Sequence, residues 1–185
     1  CIKLGNALYC NPQFLAGRRL KVTYVYNEAD SDALRGEYKG HLLPKTAEKL
    51  KAGALNFAVY GDDAVSNAND LYPSLKEDLS LKSLLTEGLR ALLNSDYISG
   101  VDYSQKGMLI STLLMDPKSV VVRKDTDLAI ICFGINETRT NAADFAAKLK
   151  ELMALISKQN PNCEFIILTS LKPNPDAKLR TAYPN

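Results

Sequence analysis

Three stretches of strand length, residues 55–60, 128–133 and 163–169, are apolar almost throughout rather than at every second position. A strand with one wet face alternates; a strand covered on both faces does not. Helical patterns lie between these runs. Across residues 74–93 leucines stand at 75, 79, 81, 84, 85, 89, 92 and 93, which leaves Lys76, Glu77, Lys82, Glu87 and Arg90 outside. Residues 142–158 place Phe145, Leu149, Leu152, Met153 and Ile156 on one stripe, and Asn160-Pro161 ends it. Buried strands alternating with amphipathic helices are βαβ units. They predict a three-layer α/β/α sandwich around a mostly parallel sheet. Crossovers should be right-handed, and ligands should bind beyond the carboxyl ends of the strands.

Weaker signals fill in the rest. Pro44 opens a short helix over 45–51 that Gly53 closes. Residues 97–103 read as a short strand broken by Gly100, and 108–114 as a turn or two of helix stopped near Pro117. Residues 19–26 alternate as a strand with one exposed face, followed by a polar stretch to residue 40. The chain therefore divides into an amino-terminal extension, 1–40, and an α/β domain, 41–185. Residues 172–185, rich in Pro and Asn, carry no core pattern.

With 185 residues, 46% hydrophobic and 24% charged, the chain is long enough to bury a core. A net charge of +2, with lysines spread along helical segments, makes no case for nucleic acid. No apolar run approaches the roughly 20 residues that span a bilayer, and no signal peptide is evident. The expectation is a soluble protein, cytoplasmic or secreted. Of the four cysteines, Cys132 and Cys163 lie in apolar runs and read as buried free thiols, while Cys1 and Cys10 are free to pair or not. Cys1 could be a lipoprotein anchor; the start of a fragment is the preferred reading.

Chemistry concentrates where two strands end. Gly61-Asp62-Asp63 follows the first strand and Gly134-Ile135-Asn136 follows the second, on the same edge of the expected sheet. Gly61 lets the backbone turn sharply, and Asp62 can accept backbone N–H groups and hold the loop. Asn136 offers an amide donor, and Gly107 an unobstructed backbone N–H. Such a pair makes a workable oxyanion hole, each donor worth about 3–4 kcal/mol when preorganised. An activated nucleophile is missing: position 63 is a carboxylate, and the single histidine, His41, sits in a polar loop and reads as a surface residue. Blander readings stand beside each feature. Gly-Asp after a strand also serves nucleotide, metal and phosphate sites; Gly-x-Asn is often only a turn; Gly107 alone is a loop glycine. Asp62 and Asp63 could share a divalent cation with Glu137 or Asp70, although adjacent residues on an extended segment point apart. No Cys/His spacing suggests zinc, and no cofactor is implied.

In order and context these blocks resemble the SGNH hydrolases, the GDSL family of esterases and lipases. The family's first block, Gly-Asp-Ser with a small-residue loop, is matched by residues 61–69, Gly-Asp-Asp-Ala-Val-Ser-Asn-Ala-Asn. The second block's glycine falls on Gly107, with Ser111 just beyond, and the third, Gly-x-Asn-Asp, on Gly134-Ile135-Asn136-Glu137. The lead-in at 20–24, 43–46 and 49–53, and the stretch 172–175, also fit, so the resemblance runs from about residue 20 to 175. It implies Asp63 in the nucleophile's place, Gly107 and Asn136 as oxyanion donors, and Gly61, Asp62 and Gly134 as the supporting turns. It also exposes departures. Asp63 replaces the family's Ser, Glu137 replaces its Asp, and no late Asp-x-x-His block follows, as though the last strand and helix were absent. Ser66, three residues on, is no ready substitute for the nucleophile. The resemblance implies a carboxylic-ester hydrolase acting on small acyl esters or acylated carbohydrates, impaired or inactive in this chain. The competing readings are a non-catalytic module that binds a carbohydrate or acyl ligand and, more remotely, metal-dependent phosphoryl chemistry through Asp62, Asp63 and Glu137.

Overall fold

In a computed structural model of the chain, residues 39–67, 78, 80–116, 118, 120–137 and 140–169 are described. Four strands, β1 (Leu55–Gly61), β2 (Ile98–Asp102), β3 (Leu128–Cys132) and β4 (Glu164–Ile167), form one sheet in the order β2-β1-β3-β4. Every pairing is parallel. Among the described residues four α-helices accompany them: α1 (Pro44–Lys51), α2 (Leu81–Leu93), α3 (Ile110–Met115) and α4 (Ala142–Gln159).

The period of two along each strand sorts its side chains onto two faces. Leu55, Phe57 and Val59 of β1 join Leu128, Ile130 and Cys132 against Leu50 of α1 and Leu81, Leu85, Leu89 and Leu93 of α2. Ala58 and Tyr60 join Ala129, Ile131 and Phe133 against Ile110 and Leu113 of α3 and Leu152 and Ile156 of α4. Two cores on opposite faces make the predicted three layers. Each fully buried large side chain adds about 1.5–3 kcal/mol of hydrophobic stabilisation. The chain passes from β1 to β2 over one face and returns to β3 and β4 over the other. A constant crossover hand requires that change of face when the direction of strand addition reverses. The reversal falls between β1 and β3, so the carboxyl ends of those two strands flank the crevice where such sheets bind ligands.

Two local expectations are corrected. Gly100 does not break β2; it pairs with Phe57 inside the ladder. A Cβ there would come within 2.5 Å of the Phe57 ring and 2.9 Å of Lys82 Cγ, so the glycine makes room for a core ring and a lysine stem. Helix α2 begins at Leu81, where Ser80 caps it by accepting Ser83 N at 3.2 Å. Asp78 reinforces that start by accepting Ser80 N and the Ser83 hydroxyl. Nor does every leucine of α2 turn inward. Leu84 and Leu92 are exposed, while Lys82, expected outside, lays its stem along the sheet and carries its ammonium to Asp78 at 3.2 Å. Cys132 and Cys163 are buried free thiols, as expected. The strand at 19–26, Cys1, Cys10, Asp70, the start of the 74–93 segment and the 172–185 stretch lie outside the described residues.

Candidate functional site

Gly61 closes β1 where no side chain fits. A Cβ there would lie 2.5 Å from Cys132 O and collide with Val65. The requirement is close approach of two strand ends, with the chain turning directly after it. Asp62 follows and is fully buried. Its backbone N–H extends the ladder to Cys132 O at 3.1 Å. Its carboxylate accepts Ala64 N at 3.1 Å through Oδ1, and Gly134 N and Ile135 N at 3.0 and 3.1 Å through Oδ2. One buried anion thus ties the turn after β1 to the turn after β3. Gly134 leaves β3 at φ +134°, a conformation open to glycine, and so presents that N–H inward.

The loop after β2 is laid along the end of β1: Tyr103 N reaches Val59 O at 2.8 Å and Gln105 N reaches Gly61 O at 3.0 Å. A turn closed by Met108 N on Gln105 O leaves Gly107 at φ +72°, in the left-handed region. Its N–H donates to Asp63 Oδ2 at 2.7 Å. Asn136 Nδ2 donates to the same oxygen at 2.6 Å. The two donors named from the sequence therefore meet on one atom, and that atom belongs to Asp63. Both distances are short, as expected of hydrogen bonds to an ionised acceptor. Burial pushes the Asp63 carboxyl up, but hydrogen bonds from Asn136, Gly107 and its own N–H, with the Lys106 ammonium nearby, hold it below the usual carboxylate value.

Glu137 has a part that sequence reasoning missed. Oε1 accepts Ile110 N, the first residue of α3, at 2.6 Å, and Oε2 accepts Thr140 Oγ1 at 3.0 Å. It links the loop carrying Asn136 to the helix that follows Gly107. No local sequence signal marks that role, because its partners lie 27 residues back and three on.

Other candidates are not brought to the site. His41 is exposed in the short 3-10 turn Gly40–Leu42 that precedes α1. Burial, with the Asp62 charge, raises the Cys132 thiol, so it is held protonated and unreactive. Ser104, in the Gly107 loop, donates to Asp102 Oδ1 at 2.5 Å. Among the described residues no three His, Cys, Asp or Glu side chains gather to hold a metal ion. Asp62 and Glu137 spend their oxygens on N–H and O–H donors instead. At the same carboxyl edge a cavity of about 450 Å³ lies between β3, β4 and α4, lined by Phe133, Gly134, Glu137, Phe145, Leu149 and Ile167. A larger one, about 740 Å³, is at the opposite edge and carries charges of both signs, including Lys45, Glu48, Lys49 and Asp127. It is remote from the convergent donors.

Fold and site together define a parallel α/β sandwich in which two donors, Gly107 N and Asn136 Nδ2, converge on one carboxylate oxygen at the topological switch point. No family model matches the chain, and no curated relative matches it either. Among solved structures it is similar to one from Streptococcus pneumonia provisionally described as a platelet activating factor, at 15% identity and a TM-score of 0.47 over 82% of this chain and 65% of the other. It is also similar to one from Parabacteroides merdae provisionally described as a GDSL-like lipase, at 14% identity and a TM-score of 0.43 over 61% of this chain and 58% of the other. An extracellular lipase of Streptomyces rimosus gives 15% identity and a TM-score of 0.39 over 62% and 59%. The chain thus spans about three-fifths of the length of these structures. No helix among the described residues is long and apolar enough to cross a membrane.

Proposed function

We propose that this chain is an SGNH-type carboxylic-ester hydrolase domain in catalytically silent form, whose parent chemistry is the cleavage of small acyl or acylated-carbohydrate esters. The observation that carries the reading is the convergence of Gly107 N and Asn136 Nδ2 on a single oxygen at 2.7 and 2.6 Å, beside the turn that follows β1. In an acyl-transfer enzyme two such donors stabilise the oxygen of the tetrahedral intermediate. Order along the chain agrees: Gly-Asp-x at the end of β1, a glycine after β2, and Gly-x-Asn after β3. The apolar cavity beside Gly134 suits an acyl group.

Silence follows from Asp63. A carboxylate attacking an ester would form an anhydride, and its charge opposes an oxyanion developing next to it. No histidine stands near it among the described residues to act as a base. Ordinary acyl-enzyme turnover should be lower by several orders of magnitude than with a Ser-His pair. The test uses nitrophenyl acetate on the parent, Asp63→Ala and Asp63→Ser chains, with and without imidazole as an external base. Parent and Asp63→Ala should be equally inactive, and Asp63→Ser with imidazole should become acylated at residue 63, read by mass spectrometry. Turnover by the parent above Asp63→Ala refutes the silence. Failure of Asp63→Ser to acylate under any condition refutes the hydrolase ancestry of the site.

A second reading, a module that binds a carbohydrate or acyl ligand without cleaving it, is favoured by one observation: the apolar cavity beside Gly134 stays open while the donors are held by a side chain that performs no acyl transfer. Calorimetry against acylated and free sugars, with product analysis, separates the two. Heat of binding without product supports the module, and silence across a broad panel counts against it.

A further inference from the structure

We infer that the Gly107–Asn136 recess is a receptor for a monocarboxylate, kept filled by the chain's own Asp63, so that removing this tethered occupant creates a binding site for a free carboxylate anion. The inference rests on the reading of the two donors as an anion recess, but it does not depend on ester cleavage.

Three observations support it. First, the two donors are built independently of their occupant. Gly107 is placed by the hydrogen bonds of Gln105 and Met108 and by its own left-handed conformation. Asn136 is placed by the turn that Asp62 holds through Gly134 and Ile135, and by Glu137, which is bound to Ile110 and Thr140. None of those contacts involves Asp63, so the donors should remain in place without it. Second, both donors select one oxygen of a planar carboxylate, at distances suited to an anion. Lys106 adds a positive charge nearby. Third, Asp63 is adjacent to Asp62, whose carbonyl accepts Val65 N and Ser66 N and whose carboxylate accepts Ala64 N. That tight turn holds the Asp63 carboxylate at the recess, and a tether of this length gives an effective concentration of order millimolar or above. A free carboxylate must therefore exceed that effective concentration to displace it in the parent chain, whereas the same ion meets an empty recess once position 63 loses its carboxylate.

The probe is sodium formate, with sodium chloride at equal ionic strength and methyl formate as the neutral counterpart. The readout is the amide resonance of Gly107 and the side-chain NH₂ resonances of Asn136. In Asp63→Ala, formate should shift both saturably, with an apparent affinity at least tenfold tighter than in the parent, and chloride and methyl formate should not. The double variant Asp63→Ala/Asn136→Ala should lose the response. Should Asp63→Ala not fold, Asp63→Ser, whose neutral hydroxyl leaves the recess without a charge, is titrated in the same way. Equal response in parent and variant, no saturable response in the variant, or a response that survives loss of Asn136 overturns the inference. Formate binding in Asp63→Ser without any acylation would leave it standing while removing the hydrolase reading, and acylation without formate binding would do the reverse.

Discussion

Asp62 is the residue whose loss should be felt most widely. It is fully buried, and its carboxylate is shared by three backbone donors on two different loops, Ala64, Gly134 and Ile135. A hydrogen bond to a charged group contributes about 1.5–3 kcal/mol, and a buried donor left without a partner costs a similar amount. Asp62→Ala orphans three donors and should cost about 4 kcal/mol, a large part of the roughly 5–15 kcal/mol that holds a domain folded. Asp62→Asn is the sharper test. Its carbonyl can still face Gly134 and Ile135, but its NH₂ then meets Ala64 N, donor against donor, and the charge is gone. The expected loss is about 2–3 kcal/mol, roughly a sixtyfold fall in the folding constant at the midpoint of that range. Urea unfolding measures it, and amide exchange locates it: Gly134 and Ile135 should lose protection before the rest of β3. Because Asn136 follows directly, the Gly107 resonance should move as well. If Asp62→Asn stays within about 0.5 kcal/mol of the parent, the size of an ordinary surface change, and both amides stay protected, the claim that this carboxylate joins the two turns is wrong.

Three further outcomes follow. The Asp63 carboxyl is held below its usual value, so its contribution to stability is fully present above the unfolded value near 3.9 and is lost as pH falls through the lower folded value; Asp63→Ala should lower stability near neutrality, flatten the profile below about pH 4 and approach the parent in strong acid, read by urea unfolding across pH. Gly100→Ala should destabilise by about 1–3 kcal/mol, since its Cβ meets the Phe57 ring at 2.5 Å, and Phe57→Leu in the same chain should recover part of the loss, measured by thermal unfolding as a double-mutant cycle. Tyr60→Phe removes the hydroxyl that donates to Val121 O at 2.7 Å and should cost about 1 kcal/mol, with the stacked Tyr103 ring reporting the change in near-ultraviolet circular dichroism.

What could be read from the residues alone was whatever depends on period and local chemistry. The continuous apolar runs at 55–60 and 128–133 announced strands buried on both faces, and the stripe through Leu152 and Ile156 announced α4, because a side chain's direction along a strand or helix is set by the backbone repeat. Asn136 could be named as a donor because an Asn amide after a strand is recognisable in the letters, and Gly107 only through the block order of the family it resembles. Tertiary structure alone decided the rest. Gly100 looks like a strand breaker until the Phe57 ring lies across it, and Lys82 looks like a surface charge until its stem covers the sheet. Glu137 looks like a mild substitution until Ile110, 27 residues away, arrives at its carboxylate. Most of all, Asp63 reads in the sequence as a missing nucleophile, whereas in the fold it is the occupant of the recess. Hydrogen-bond partners distant along the chain are chosen by the packing of the sheet, and no local pattern encodes which carboxylate will be the one the donors reach.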